Sequence, residues 1–192
     1  MKRYSVNEIF CSLQGEGAFT GAAALFVRLA GCNLRCPFCD TDHSPSTLMT
    51  AAEIVARAER EAGPVRHLVI TGGEPSLQLD AELTEAFKGW FIQVETNGTS
   101  PLPEGIDWVT CSPKEGGEVV HRCVDELKVV WTGPDCRPER YDSIEAKRRS
   151  LQPCDTGEPL LSAQLTAQAV DYVKAHPVWR LSLQTHKLIS IP

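Results

Sequence analysis

A chain of 192 residues with 42% apolar side chains is expected to form one domain, residues 1–192, with enough apolar surface to bury a real core. A formal charge of −6 and a pI of about 5.4 exclude the basic field with which a protein holds nucleic acid by counterion release, and Lys147-Arg148-Arg149 reads as a solvated face rather than a patch. Polar Ser5, Asn7 and Glu8 interrupt what would have to be a signal core, and no apolar run reaches spanning length, so a cytoplasmic protein without a membrane partner is expected.

Residues 4–11 mix β-branched, aromatic and polar side chains and predict a strand, followed by the glycine-spaced loop Leu13-Gln14-Gly15-Glu16-Gly17. Those glycines suit either close approach to a ligand or a plain turn. Residues 24–30 form a near-continuous apolar run ended by Gly31, the pattern of a parallel strand buried on both faces. Arg28 interrupts it. A buried guanidinium must meet an anion, so Arg28 is either half of a structural ion pair or a clamp for a substrate carboxylate.

Directly after this strand, Cys32, Cys36 and Cys39 stand in a Cys-x3-Cys-x2-Cys run, too short to be spread over separate elements. Three thiolates on one loop suit a cubane iron–sulfur cluster with one iron left open. A zinc knot would need a fourth ligand, for which His43 and Cys11 are the nearest candidates, and disulfides are disfavoured in a reducing compartment. Cys11, Cys111, Cys123 and Cys136 read as small core or surface residues.

Thr50-Ala-Ala-Glu53 is a capping box that opens a helix with Ala51, Ile54, Val55, Ala58 and Ala62 on one face and Gly63-Pro64 as its stop. A strand at 67–71 leads into Gly72-Gly73-Glu74-Pro75, a second helix opens near Asp80, and a strand at 91–95 leads into Thr96-Asn97-Gly98. This alternation implies parallel strands with right-handed crossovers. The second half predicts strands near 108–111, 127–131, 150–152 and 179–184, a short charged stretch at 138–147 that could be helical, and a third helix at 163–175. Six or seven strands with three helices predict an α/β fold, an abbreviated partial barrel rather than a closed eightfold one. The loops at 31–41, 72–75, 96–98, 112–114 and 152–155 all follow predicted strands and would gather at one mouth.

The cysteine loop and the Gly-Gly-Glu-Pro turn, in that order after successive strands, resemble the radical S-adenosylmethionine superfamily. Within it the chain is similar to the 7-carboxy-7-deazaguanine synthase family through Leu13-Gln14-Gly15-Glu16-Gly17, Arg28, Gly31-Cys32, Cys36 to Thr41, Thr71 to Pro75, Glu95 to Gly98, Ser112-Pro113-Lys114, Glu126-Leu-Lys128, Gln152 to Asp155 and Gln184 to Lys187. The resemblance implies ring contraction of 6-carboxy-5,6,7,8-tetrahydropterin to 7-carboxy-7-deazaguanine with loss of ammonia, on the way to queuosine-type 7-deazapurines. A deoxyadenosyl radical would take the C6 hydrogen, and S-adenosylmethionine would be regenerated.

Carried over residue by residue, Cys32, Cys36 and Cys39 would hold the [4Fe-4S] cluster. Phe38, Cys39, Asp40 and Gly73 would contact S-adenosylmethionine, whose adenosine part would lie along Ser112, Pro113, Lys114, Gln152, Pro153, Cys154 and Asp155. Thr41 resembles the magnesium ligand, a hard-oxygen donor to a cation that keeps its waters. Leu13, Gln14, Gly15, Arg28 and Thr71 would hold the pterin, with the terminal carboxylate of Pro192 on its amino edge. Glu16, Glu95 and His186 are candidate catalytic groups without an assigned role. The resemblance also implies a flavodoxin- or ferredoxin-type electron donor and a homodimer. A glycyl-radical-enzyme activase and a zinc-stabilised binding module are the competing readings.

Overall fold

The computed structural model describes residues 2–44 and 46–192. Its strands are β1 (Tyr4–Leu13), β2 (Ala23–Leu29), β3 (Thr47–Met49), β4 (His67–Gly72), β5 (Phe91–Thr96), β6 (Trp108–Cys111), β7 (Cys123–Trp131), β8 (Glu145–Pro153) and β9 (Trp179–Leu181). The helices are α1 (Ala51–Ala62), α2 (Ala81–Ala86), α3 (Pro159–Ala175) and the single turn α4 (Thr185–Leu188). Among the described residues all nine strands join one sheet in the order β3-β1-β2-β4-β5-β6-β7-β8-β9. From β2 to β9 every neighbouring pair is parallel, and β1 runs antiparallel to both β2 and β3. The result is an open, partial barrel-like α/β sheet of nine described strands, seven of them parallel, where the sequence signals gave six or seven in all.

Alternation along the strands sorts the two faces. Leu25, Val27 and Leu29 of β2, Leu68 and Ile70 of β4, and Ile92 and Val94 of β5 face α1 and α2, where Ile54, Ala58, Ala62 and Leu83 complete one core. Leu127, Val129 and Trp131 of β7 and Leu151 of β8 pack under α3 against Leu165 and Ala169 in a second. The intervening residues turn to the concave side, where Arg28, Gln93, Glu95, Glu126 and Lys128 stand beside a small apolar cluster of Ala24, Phe26 and Val69.

The Thr50 capping box forms in both directions: the Glu53 N–H bonds the Thr50 hydroxyl at 3.3 Å, and the Glu53 carboxylate accepts from the Thr50 N–H at 2.7 Å. Asp80 caps α2 through the Leu83 N–H at 3.1 Å. Three expectations change. Only Pro138–Tyr141 of the 138–147 stretch is helical, as a 3-10 turn, and β8 begins at Glu145. The Lys147-Arg148-Arg149 charges sit on a paired strand with local acceptors: Lys147 meets Asp125 at 2.6 Å, and Arg149 meets Asp142 at 3.4 Å while lying over the Trp179 ring. The last strand stops at Leu181 rather than Gln184, because the chain turns into α4. The three-residue β3 carries too little pattern to be read from sequence.

The turn after β1 fills the open side of the sheet. Gly17 donates its N–H to Ser182 Oγ at 2.9 Å and Ala18 to the buried Glu126 carboxylate at 2.9 Å. Phe19 packs edge-on against His67, Phe91 and Trp108, the first residues of β4, β5 and β6, with ring centroids 5.0, 5.3 and 4.9 Å away. No helix among the described residues is long and apolar enough to cross a membrane.

Candidate active site

The carboxyl ends of β2, β4, β5, β6 and β8 open onto one cavity of about 1080 Å³. Its wall includes Cys32, Cys36, Phe38, Cys39, Asp40 and Thr41 from the loop after β2, Thr71 and Gly73 from the end of β4, and Ser112 and Lys114 after β6. Gln152, Pro153, Cys154 and Asp155 enter from β8, and Glu95 and Arg28 from the inward faces of their strands. Leu13, Gln14, Gly15 and Glu16 arrive from the opposite end, because β1 is antiparallel, and His186 and Pro192 come from the chain's last turn. Of the residues to which the resemblance gives a cluster, cofactor, magnesium or pterin role, Pro113 alone stands off this wall; it lines a small neighbouring cavity with Cys136, Arg137 and Tyr141.

The cysteine loop is held from below. Gly73 donates its N–H to Leu29 O at 3.1 Å and Glu74 to Gly31 O at 2.9 Å. A Cβ on Gly73 would stand 2.1 Å from Gly31 O, and one on Gly72, whose φ is +143°, would stand 2.0 Å from Leu29 O. The two glycines are thus required by the approach of two strand ends, a reason that stands beside the expected approach to a ligand. Burial is the largest influence on Cys36 and raises its thiol pKa, with the neighbouring Cys39 and Cys32 adding to the rise. Among the described residues no three His, Cys, Asp or Glu side chains stand together as a cage around a single ion. A cubane binds each thiolate to a different iron, so three thiols spaced along one cavity wall suit a cluster with an open iron better than a closed zinc site.

A triad of three charged side chains shapes the floor. Lys128, whose side chain is 6% exposed, reaches Glu16 at 2.5 Å and Glu95 at 2.9 Å. Glu16 also accepts from Gln184 at 2.9 Å, and Glu95 from Gln93 at 2.9 Å. Burial pushes both carboxyls up. For Glu16 the Lys128 charge and hydrogen bond, with Gln184, outweigh burial and hold the pKa down to about 2. For Glu95 burial prevails over Lys128, and the Glu16 charge adds to it, so its pKa is raised. One cation therefore serves two unequal acids. Burial likewise lowers the His186 and Lys114 pKa values, in Lys114 with help from the Lys128 charge.

Arg28 forms an ion pair, the first of the two alternatives weighed for it, at a position that faces the cavity. Its Nε donates to Glu8 at 2.6 Å, while the residue also lines the cavity. Glu8 is 49% exposed, and so open a pair is worth about 0–1 kcal/mol. A ligand carboxylate can displace or join Glu8 at little cost. Asp40, beside Thr41, is held by Lys187 at 2.6 Å and Gln184 at 3.4 Å; burial raises its pKa, but the Lys187 bond and charge bring it below the usual carboxylate range. Lys128, Gln184 and Lys187 had no role assigned from sequence. A lysine at an inward position of an otherwise apolar strand was the available signal for the first.

The radical SAM superfamily model matches residues 27–132. A 7-carboxy-7-deazaguanine synthase from Bacteroides thetaiotaomicron is 50% identical over 188 residues, covering 97% of each chain. The chain belongs to the 7-carboxy-7-deazaguanine synthase family. A synthase of the same name from Bradyrhizobium diazoefficiens is 43% identical, with 98% of this chain and 99% of the other covered. The crystal structure of QueE from Escherichia coli superposes with a TM-score of 0.80 at 30% identity, covering 96% and 95% of the two chains. As a radical SAM member of this synthase family, the protein works with a [4Fe-4S] cluster and S-adenosylmethionine.

Proposed function

We infer that this chain is a radical lyase that contracts 6-carboxy-5,6,7,8-tetrahydropterin to 7-carboxy-7-deazaguanine with loss of ammonia, in queuosine-type 7-deazapurine synthesis. The observation that carries the reading is the meeting, in one cavity, of the three-cysteine wall with Arg28 and the Glu16–Lys128–Glu95 floor. The cluster and S-adenosylmethionine together supply a 5′-deoxyadenosyl radical able to abstract the substrate hydrogen. The rest of the work falls to the chain's own side chains.

Cys32, Cys36 and Cys39 would hold the cluster with one iron open, and Phe38, Asp40, Gly73, the Ser112 to Lys114 loop and the Gln152 to Asp155 loop would bind S-adenosylmethionine. Pro113 contributes through the loop's backbone course, since its ring faces the smaller cavity. Arg28 takes the pterin carboxylate, and Gln14, Gly15 and Thr71 position the ring, with Leu13 and Pro192 at its edge. Thr41 offers its hydroxyl to Mg2+ near that carboxylate. Glu95, the acid of raised pKa, and His186 are the groups placed to hold or move a proton at the pterin nitrogens. A flavodoxin- or ferredoxin-type protein supplies the electron, the enzyme acts as a homodimer, and the setting is the cytoplasm.

The test is anaerobic. Reconstituted protein carrying about four irons per chain, given dithionite, S-adenosylmethionine, Mg2+ and the pterin, should release 7-carboxy-7-deazaguanine, read by mass. Deoxyadenosine without that product would move the substrate elsewhere, and zinc without iron would end the reading.

A further inference from the structure

The tail beyond β9 is tied to both halves of the cavity, and Gln184 at its start touches each, its Nε2 lying 2.9 Å from Glu16 and 3.4 Å from Asp40. On one side the Lys187 ammonium bridges Asp40 of the cysteine loop, at 2.6 Å, and Asp155 of the β8 loop, at 2.8 Å. These two loops are otherwise separate strand ends, and both are among those that the functional reading places on S-adenosylmethionine. On the other side, Thr185 donates its N–H and its hydroxyl to Gly15 O, each at 2.9 Å. Gln184 holds Glu16 at 2.9 Å, and the His186 ring lies against Gly15, where an added Cβ would come within 2.0 Å of Nδ1. Gly15 and its neighbours belong to the pterin side. A helical turn of four residues thus has one end on each ligand's site.

We propose that this tail couples the two sites, with Lys187 as the positioning residue: docking of α4 by either ligand's loops pre-forms the contacts that the other ligand needs. The inference rests on the functional reading above and deepens it. Lys187 is 33% exposed, and its partners Asp40 and Asp155 are 50% and 40% exposed, so each pair alone is weak. Their product is geometric: one ammonium fixes the distance between two loops. If ordering the tail is a cost shared by the two ligands, the first to bind relieves the second of it, and the effect must be reciprocal. Because the charges are partly open to solvent, the coupling should shrink as salt is raised.

The experiment is equilibrium calorimetry on reconstituted holoenzyme with the cluster left oxidised, so that S-adenosylmethionine binds without being cleaved. Its Kd is measured with and without saturating 6-carboxytetrahydropterin at low and high salt. The wild-type protein should bind S-adenosylmethionine on the order of fivefold more tightly with pterin present, at the lower end of typical couplings. Lys187→Met should bring that factor close to one while both ligands still bind, and Lys187→Arg, which keeps charge and reach, should restore it. Undiminished coupling in Lys187→Met, or its absence in the wild type with both ligands binding, overturns the inference and leaves the function standing. Failure of the pterin to bind wild-type holoenzyme overturns both.

Discussion

Removing the Lys128 ammonium tests the charge design of the floor. Lys128→Met keeps the stem's length and apolar contacts but leaves Glu16 and Glu95, with side chains 19% and 15% exposed, facing each other without a cation. Taking one partner from a buried ion pair costs about 3–5 kcal/mol; the carboxylates look onto a wet cavity, which favours the lower end. The Glu16 shift gives a similar figure. A pKa lowered from 4.5 to about 2 corresponds to roughly 3 kcal/mol. Its sign is fixed by linkage: a depressed carboxyl stabilises the fold above its unfolded pKa, and that stability is lost as pH falls from about 4.5 toward 2. Glu95, with its raised pKa, works the other way, losing stability as pH rises past its unfolded value. In a chain of this length 1 kcal/mol is worth about 2–4 °C, so the cluster-free variant should melt roughly 6–12 °C below the wild type at pH 7.5. The gap should narrow at pH 4, where the unpartnered carboxyls of the variant take up protons. A gap under about 2 °C at pH 7.5, or one that widens in acid, would refute the reasoning.

Four further substitutions separate the parts of the cavity. Cys36→Ala should take iron from about four per chain to near none after reconstitution, whereas Cys154→Ala, whose thiol sits at the end of β8, should keep it; equal iron in both would remove Cys36 from the cluster. Arg28→Ala should weaken pterin binding about 10- to 100-fold, the worth of a charge-assisted contact, with iron content unchanged, and an unaltered Kd would leave Arg28 with Glu8 alone. Gly73→Ala forces a Cβ against Gly31 O and should lower both melting temperature and iron retention, at a cost of about 1–3 kcal/mol; full iron retention would show that the cysteine loop does not depend on this approach.

What the sequence displayed was governed by local rules. The capping box at Thr50, the apolar run of β2 and the glycine turn after β4 each depend on a few adjacent residues, so each is legible where it stands. The second half was read less fully for a reason visible in β8. Glu145, Lys147, Arg148 and Arg149 carry helical or loop-like composition, yet β7 supplies a parallel partner along the strand, with Asp125 as the partner for Lys147 and the Asp142 turn beside Arg149, and long-range pairing overrides propensity. The site followed the same division. Its motifs were visible as strand-end loops, but the pairing of Lys128 with two acids 112 and 33 residues earlier in the chain exists only once the sheet has formed.

The glutamate of the Gly-Gly-Glu-Pro turn shows how such a motif acts through structure. Glu74 is 0% exposed and among the described residues has no cationic partner; its carboxylate accepts from the Thr96 hydroxyl and the Asn97 N–H, each at 2.6 Å, and from the Ser76 N–H at 3.0 Å. Polar atoms taken out of water need such partners, and these three donors supply them. Asn97, so fixed, donates from Nδ2 to Asn33 at 3.0 Å, and Asn33 donates to Thr99 at 2.8 Å. The carboxylate therefore braces the ends of β4 and β5, and through Asn97 it reaches the residue next to Cys32. A glutamine here would turn one acceptor into a donor facing a backbone N–H, and an alanine would leave two N–H groups unpaired. The motif's acid is accounted for by the placement of the cysteine loop before any ligand is considered.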